Sequence, residues 1–393
     1  MSRIASNLLP PDTRPEIRIL LACGSAAGEE MITSRLDPLF REPIDWRLLL
    51  ELAGRHGMTG LLYRGVNRLA TAPEEFRQEL AKDFRAMAGQ SLFQTGELLR
   101  LLEVLHAQGI HALPYKGPTL ALMAYGDIAM RSFDDLDILV PIEQIPQGKD
   151  LLAGEGYRSD MRLSPGQERA YHRNDSEYQL LHEKHGVVEL HWQVQPPWLG
   201  VPVDVQDWWG RAQEWTVAGR QVLVPALMDL LPALLGHASR HLWERMEWLC
   251  NIAHLIYRNP AINWKLLIEE AESAGVRRIT DTGLLLAFEL LDAPVPTDVL
   301  ACARRDRVTC RLAAQVAISL SSTSPVSPSA LRQALFDFQS RERFWHRVSY
   351  SFQRLFGPNS GEYRWLALPA SLSLLYYPLR LLRFGFVLIR GRR

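Results

Sequence analysis

The stretch Arg131-Ser-Phe-Asp-Asp-Leu-Asp-Ile-Leu-Val140 is the most informative segment of this 393-residue chain. Its apolar second half predicts a buried β-strand, and side chains two residues apart on a strand lie on the same face. Asp135 and Asp137 are therefore expected side by side. Their charges repel unless a cation lies between them, and Mg²⁺ is a hard cation that takes such oxygen ligands. An acidic turn at the edge of a strand is the alternative interpretation.

A strand, a tight turn and a helix are predicted just before this segment. The apolar run from His111 to Lys116 favours a strand, and Gly117 permits a close turn after it. Pro118 suits the first turn of a helix, where its missing N–H costs nothing. The free N–H groups of a helix N-terminus attract anions, so Lys116 and Gly117 are candidate phosphate contacts. An ordinary solvated lysine is the alternative for Lys116.

A β-hairpin is predicted downstream of the two aspartates. Residues 177–182 and 187–192 have strand character, and Glu183-Lys-His-Gly186 between them favours a turn. The alternation of side chains places Glu189 and His191 on one face of the second strand. A carboxylate that faces the interior is costly unless it is paired or bound to metal. Glu189 is therefore predicted to be a third carboxylate of the site.

These motifs carry a family resemblance. They are Lys116-Gly117, Arg131, Asp135-Leu-Asp137-Ile-Leu-Val140 and Glu189-Leu-His191-Trp192, and the likeness extends over roughly residues 40 to 260. In them the chain resembles the bacterial uncharacterised nucleotidyltransferase family, which belongs to the DNA polymerase beta-like nucleotidyltransferase superfamily. The resemblance implies an α+β fold, in which a small mixed β-sheet core is flanked by N- and C-terminal helical regions.

The resemblance also implies a reaction. It is the metal-dependent transfer of a nucleoside monophosphate from an NTP to a hydroxyl acceptor, with release of pyrophosphate. Asp135, Asp137 and Glu189 would be the catalytic residues and would hold Mg²⁺, with Mn²⁺ as the alternative ion. The implied substrate-binding residues are Lys116, Gly117, Arg131, His191, His237 and Arg240. Arg131 has a second interpretation, as a structural partner of Asp134 or Asp135.

Three departures from the family pattern support a second hypothesis. Pro118 follows Gly117 where the superfamily usually has Gly or Ser, Glu189 replaces an Asp, and Asn251 stands where relatives often have Asp. The hypothesis is a catalytically weak or inactive protein of this fold that binds nucleotide or a partner. A third and weaker hypothesis is a scaffold in membrane polysaccharide or peptide-modification pathways.

The composition is that of an ordinary globular protein, with 47% hydrophobic residues and a formal net charge of zero. Zero net charge argues against a broad nucleic-acid-binding surface. Four scattered cysteines without a Cys-x-x-Cys pair suit reduced thiols in a cytoplasmic protein, and no secretory signal is expected. The predicted division is an N-terminal helical region (1–108), a nucleotidyltransferase core (109–224), a C-terminal helical region (225–340) and an arginine-rich apolar tail (341–393).

Two further segments have competing interpretations. Five of the eleven tryptophans lie between Trp192 and Trp215, where packing is favoured over stacking on a nucleobase. His237, Arg240 and His241 share one helix face, which suits either a substrate contact or a helix at the edge of the core. The sequence His-Ala-Ser-Arg-His lacks the glutamate of the metalloprotease motif, so that activity is not expected.

The tail combines apolar residues with arginines. Residues 341–393 hold ten arginines, two glutamates and no lysine or aspartate, a formal charge of +8. Residues 365–379 are uncharged, but a membrane-spanning helix needs ~20 apolar residues. Residues 361–393 therefore suit an anchor on an anionic cytoplasmic membrane surface. The equally weighted alternative is a pair of helices packed on the preceding domain.

Overall fold

The structure, a computed structural model, describes residues 8–67, 72–159, 161, 163–197, 204–324, 329–358, 360–366 and 368–390. The architecture is α+β, with a small mixed sheet between two sets of helices, as the resemblance implies. The four cysteines are free thiols. The division of the chain into four regions stays a prediction.

The chain begins with a group of helices. They are α1 (Pro15–Gly24), α2 (Glu29–Leu39), α3 (Trp46–His56), α4 (Thr59–Val66) and α5 (Glu74–Ala107). Asp45 caps α3 by accepting a hydrogen bond from the Leu48 amide at 3.0 Å, which satisfies one of the free donors of the first turn. After α5, Gly109 adopts a positive φ of 71°, a conformation in which glycine commonly ends a helix.

The central sheet is a mixed sheet of five strands. Its strands are β1 (Leu113–Pro114), β2 (Asp135–Leu139), β3 (Arg158–Ser159), β4 (Glu177–His182) and β5 (Gly186–His191), in the order β1-β2-β5-β4-β3. β2 runs parallel to β5, and the other pairs are antiparallel. The predicted hairpin is confirmed, with its second strand shifted by one residue. The strand predicted at 111–116 is shorter than expected.

Further helices and a second hairpin connect and follow these strands. They are α6 (Gly117–Tyr125), α7 (Ile145–Gly154), α8 (Pro165–Asn174), α9 (Trp208–Arg211), β6 (Gln213–Val217) and β7 (Arg220–Val224). β6 and β7 pair with each other in an antiparallel hairpin. Short 3-10 helices cover Ile128–Met130, Ile142–Gln144 and Ala370–Leu375.

One face of the sheet is buried, and the other carries the polar residues. Leu136 and Ile138 of β2 and Leu190 of β5 pack with Leu101 of α5 in one apolar cluster. Burying each such side chain stabilises the fold by about 1.5–3 kcal/mol. Because successive side chains of a strand point to opposite faces, the burial of these side chains on one face places the alternate residues of β2 and β5 on the other face.

The remaining helices follow the second hairpin. They are α10 (Leu227–Arg240), α11 (Met246–Arg258), α12 (Trp264–Ala274), α13 (Arg277–Leu291), α14 (Thr297–Arg305), α15 (Arg307–Leu320), α16 (Ala330–Gln339), α17 (Phe344–Phe356), α18 (Ser360–Trp365) and α19 (Tyr376–Arg390). The first and last helical groups share one apolar core, in which Leu20 of α1 lies with Ile252 of α11 and Leu286 of α13.

The tail packs on the sheet domain through two tyrosines. Tyr363 and Tyr376 are buried in the apolar cluster of the sheet, and the Gln167 amide of α8 donates to the Tyr376 hydroxyl at 2.7 Å. Glu362 is fully buried and pairs with Arg380 at 3.1 Å. This is the packed arrangement that the sequence left as one of two alternatives. Residues 391–393 at the end of the tail lie outside the described residues.

No helix in the described part of the chain has the length and apolar character needed to cross a bilayer.

The buried histidine His254 gives the fold a pH dependence. Its Nε2 lies 3.2 Å from the Gly24 carbonyl oxygen, and burial lowers its pKa to about 4. The unfolded chain binds this proton near pH 6.5, so the free energy of unfolding falls as pH drops from 6.5 to 4, by about 3 kcal/mol for this group. We expect His254→Gln to flatten that decline in urea unfolding. The exposed His106→Gln is the control, and equal slopes in all three proteins would contradict the assignment.

Candidate active site

Asp137 lies at the centre of the polar face of the sheet. Its side chain is 1% exposed, and the parallel register places it beside Glu189 of β5. Lys116 Nζ donates to Asp137 Oδ1 at 2.6 Å, and His191 Nε2 lies 3.2 Å from the same oxygen. Asp137 Oδ2 is buried and has no hydrogen-bond partner among the described residues. A buried carboxylate oxygen without a partner is costly, so it is a place where a cation would bind favourably.

Lys116 reaches Asp137 because the chain turns sharply after it. Gly117 begins α6 with a φ of +53°, a conformation that glycine adopts easily, and Pro118 lies in the first turn. The Lys116 side chain is only 11% exposed, so the solvated alternative is wrong. Burial alone would lower the pKa of Lys116, but the carboxylates of Asp137 and Glu189 raise it. The lysine is therefore a charged, fixed component of the site.

His191 is a buried imidazole in contact with three carboxylates. Its Nε2 lies 3.2 Å from Asp137 Oδ1 and 3.5 Å from Glu189 Oε2, and its Nδ1 lies 3.4 Å from Glu177 Oε2. Burial opposes protonation of the ring, but Glu177 and the other carboxylates raise the pKa of His191 to about 10. The hydrogen bond from His191 in turn holds the pKa of Glu189 below its ordinary value, against the effect of burial.

Asp135 lies two residues before Asp137 on the same face of β2. Burial and the charge of Asp137 raise the pKa of Asp135 to about 7. The pKa of Asp137 is instead held well below its ordinary value, because Lys116 and His191 outweigh its burial. Neighbouring carboxylates whose pKa values are pushed apart in this way are typical of functional sites.

A cavity of about 310 Å³ lies over this face of the sheet. Its acidic lining residues are Asp134, Asp135, Glu177, Glu189 and Glu247. The other charged, imidazole and aromatic lining residues include Lys116, Arg131 and His191 from the sheet segment and His237, Arg240, His241, Arg245 and Trp248 from the helical segment that follows it. Asp134 also lines the cavity, because it precedes the strand, where the alternation of faces has not yet begun.

The structure brings the predicted site residues together. Lys116, Arg131, Asp135, Glu189, His191, His237 and Arg240 all line the cavity, Asp137 contacts two of them, and Gly117 forms the turn beside it. Sequence reasoning missed Glu177, although the hairpin register pairs it with His191 and could have revealed it. It also gave no role to Arg245, which pairs with Glu247 at 3.0 Å where the chain enters α11.

Arg131 carries hydrogen-bond donors without partners at this cavity. The residue is 7% exposed, and its Nε and Nη1 have no partner among the described residues. A guanidinium with buried, unsatisfied donors is suited to an anionic ligand, since it binds carboxylate or phosphate oxygens in pairs.

The histidines of α10 lie against Trp248. The ring centroids of His237 and His241 are 5.5 Å and 5.2 Å from that of Trp248. Burial, followed by the Arg240 charge, lowers the pKa of His241 to about 4. Burial, followed by the Lys116 charge, lowers the pKa of His237 well below its ordinary value. Both rings are therefore neutral near pH 7, and each offers one donor and one acceptor to the cavity.

The tryptophan-rich segment packs rather than forming an open stacking surface. Trp192 and Trp208 are fully buried, and Trp209 and Trp215 are partly buried against the main core. Trp198 lies outside the described residues. The packing interpretation is therefore confirmed for the four described tryptophans.

The fold and the grouped carboxylates define a nucleotidyltransferase type of protein. The sequence pattern of the uncharacterised nucleotidyltransferase family matches residues 42–292, well over half of the chain. The chain belongs to this family. No curated protein matches it. Among solved structures, the lincomycin-bound lincosamide antibiotic adenylyltransferase LnuA is similar at a TM-score of 0.29 and 17% identity, over 41% of this chain and 94% of that chain.

The buried Lys116–Asp137 pair should make a large contribution to stability. Lys116→Met removes the ammonium group that offsets the buried negative charge of Asp137, and breaking a buried ion pair costs about 3–5 kcal/mol. We expect a loss near the lower value, since His191 remains, measured by urea unfolding with a chelator present. The control is Lys149→Met, which breaks a more exposed pair with Glu168 and should cost less than about 1 kcal/mol. Equal losses in the two variants would show that the Asp137 charge is not the cause.

Proposed function

We propose that the protein transfers a nucleoside monophosphate from an NTP, ATP among them, to a hydroxyl acceptor and releases pyrophosphate. The observation that carries this proposal is the juxtaposition of Asp137 and Glu189 on parallel strands, with Asp135 on the same face, beside a cavity that Lys116, Arg131 and Arg240 also line. Membership of the nucleotidyltransferase family supports the same reaction class.

The carboxylates fit a divalent cation. Asp137 has a buried oxygen without a partner among the described residues, and the pKa of Asp135 is raised by burial and by the neighbouring Asp137 charge, which an ion would neutralise. Asp135, Asp137 and Glu189 would hold the metal, for which the sequence suggests Mg²⁺ or Mn²⁺. When bound, the metal would neutralise triphosphate charge and polarise the acceptor hydroxyl.

The residues of the chain would bind and orient the two substrates. Lys116, the amides near Gly117 and Arg131 would hold the triphosphate. His237 and Arg240, from the helical segment after the sheet, would contact the acceptor or a phosphate. The acceptor oxygen forms a bond to the α-phosphorus, and the bond from that phosphorus to the α,β-bridging oxygen breaks. The hydroxyl proton passes to a site carboxylate, and the electron pair of the broken bond leaves with pyrophosphate.

The alternative is a protein of this fold that binds nucleotide or a partner without catalysis. Asn251, one of the three departures from the family pattern that motivated this alternative, has a structural explanation. The Tyr125 hydroxyl donates to Asn251 Oδ1 at 2.8 Å in the helical core, and Asn251 is not among the residues that line the cavity. Asn251 therefore gives this alternative no support, whereas Pro118 and Glu189 still distinguish the chain from the usual pattern.

Removing the two aspartates should abolish metal-dependent nucleotide binding. We expect Asp135→Asn/Asp137→Asn to lose ATP binding in the presence of Mg²⁺ or Mn²⁺, because the triphosphate then has no bridging cation. Titration calorimetry measures this, with the exposed Asp150→Asn of α7 as control. Equal binding by wild type and the double variant would exclude this site. Binding by wild type without pyrophosphate release from any acceptor tested would favour the non-catalytic alternative.

We also propose that the protein is cytoplasmic and that its tail contacts an anionic membrane surface. Both acidic residues of the tail are engaged, since Glu342 accepts from the Arg278 amide and Glu362 is fully buried. Large apolar side chains are exposed there, with Trp345 at 74% and Leu374 at 77%. Exposed apolar groups among arginines suit an anionic interface.

Point changes test this contact better than removal of residues 361–393, which would also take Tyr363 and Tyr376 out of the core. We expect Trp345→Ser and Leu374→Ser each to weaken cosedimentation with phosphatidylserine-containing vesicles about tenfold, since each removes an exposed apolar side chain that would be buried in the membrane interface. The control is Leu223→Ser, which changes an exposed leucine of β7. Equal sedimentation of the wild type with neutral phosphatidylcholine vesicles would contradict the proposal.

A further inference from the structure

We infer that His191 is a metal ligand and that the site therefore prefers a first-row transition ion, such as Mn²⁺, to Mg²⁺. The inference rests on the proposed function, because it concerns the metal of the same site. It changes the role of His191, which sequence analysis assigned to substrate binding, and it makes Glu177 the residue that orients it.

The positions of the side chains suit one ion held by three groups. One ligand atom each from Asp137, Glu189 and His191 lies within 4.8 Å of the others. The closest approaches of His191 Nε2 to the two carboxylates are 3.2 Å and 3.5 Å. Ligands that are each ~2.1 Å from one ion are ~3–4 Å apart, so these side chains need only small shifts to share it.

The protein backbone and Glu177 orient the imidazole for this purpose. His191 Nδ1 lies 3.2 Å from the Gln193 carbonyl oxygen and 3.4 Å from Glu177 Oε2. Both are acceptors, so we assign the Nδ1 proton to them. A metal would then displace the Nε2 proton, which in the metal-free site faces Asp137, Glu189 and the Tyr115 hydroxyl. A ligating histidine almost always has such a partner on its other nitrogen. The ring also packs edge-on against Tyr115, with centroids 5.2 Å apart, which limits its rotation.

The ligand set favours a transition ion. Mg²⁺ takes oxygen ligands and is reluctant to lose water, whereas imidazole suits transition ions such as Fe²⁺, Ni²⁺ and Zn²⁺, and Mn²⁺, which also takes oxygen ligands, is the member of that row most similar to Mg²⁺. Asp137 Oδ2 has no hydrogen-bond partner among the described residues, so it can bind a metal while Lys116 keeps its hydrogen bond to Oδ1. A nitrogen ligand beside two carboxylates should therefore separate the affinities of Mn²⁺ and Mg²⁺.

The test compares metal binding by the full-length, metal-free protein. Calorimetry with Mn²⁺ and with Mg²⁺ gives the ratio of the two affinities, and pulsed EPR of the Mn²⁺ sample detects a coordinated nitrogen. We expect Mn²⁺ to bind the wild type at least about tenfold more tightly, with nitrogen modulation in the spectrum. His191→Gln should lose the modulation and most of the preference. Glu177→Gln should keep the modulation but bind Mn²⁺ about 10–100-fold more weakly.

His172→Gln is the matched control, because this histidine bonds to the Tyr178 hydroxyl outside the cavity. It should leave both the affinity ratio and the modulation unchanged. Mn²⁺ binding without nitrogen modulation in the wild type, or an unchanged ratio in His191→Gln, would overturn the inference while leaving the carboxylate site of the proposed function intact. Failure of both ions to bind would overturn both. If His191→Gln does not fold, the wild-type spectrum and Glu177→Gln decide.

Discussion

The need to stabilise one buried charge organises this protein. Asp137 lies almost fully inside the sheet domain, where an isolated carboxylate would be very costly. Its compensation comes from Lys116 and His191, on two different parts of the chain. The left-handed turn at Gly117 lets the lysine arrive from one side, and the parallel pairing of β2 with β5 brings the histidine from the other. The turn at Gly117, the register of β2 with β5 and the apolar packing of the sheet together hold these three side chains in contact.

The local features of the site could be predicted from the sequence, because they depend on short-range geometry. Asp135 and Asp137 share a face through the two-residue period of a strand, and Glu189 and His191 do so for the same reason. The parallel register that sets Asp137 beside Glu189 could not be read in this way. The two strands are about 50 positions apart, and neither one encodes the alignment of the other.

The parts that escaped prediction depend on tertiary packing. Lys116 is indistinguishable in sequence from a surface lysine until its partner is known. The tail shows the same limit, because an apolar face is needed both to pack on protein and to lie on a membrane. Tyr363 and Tyr376 decide that this part packs, through contacts with α8 far away in the sequence.

The contribution of two chain segments to the cavity has a consequence for how this fold could be divided. His237 and Arg245 belong to the helices after the sheet segment, so a fragment containing only residues 109–224 would present its carboxylates to bulk water. Water screens charges far more strongly than a protein interior does. The electrostatic strength of the site therefore depends on both segments in contact. Substitutions in the helical segment could change what binds there and leave the carboxylates of the sheet segment unchanged.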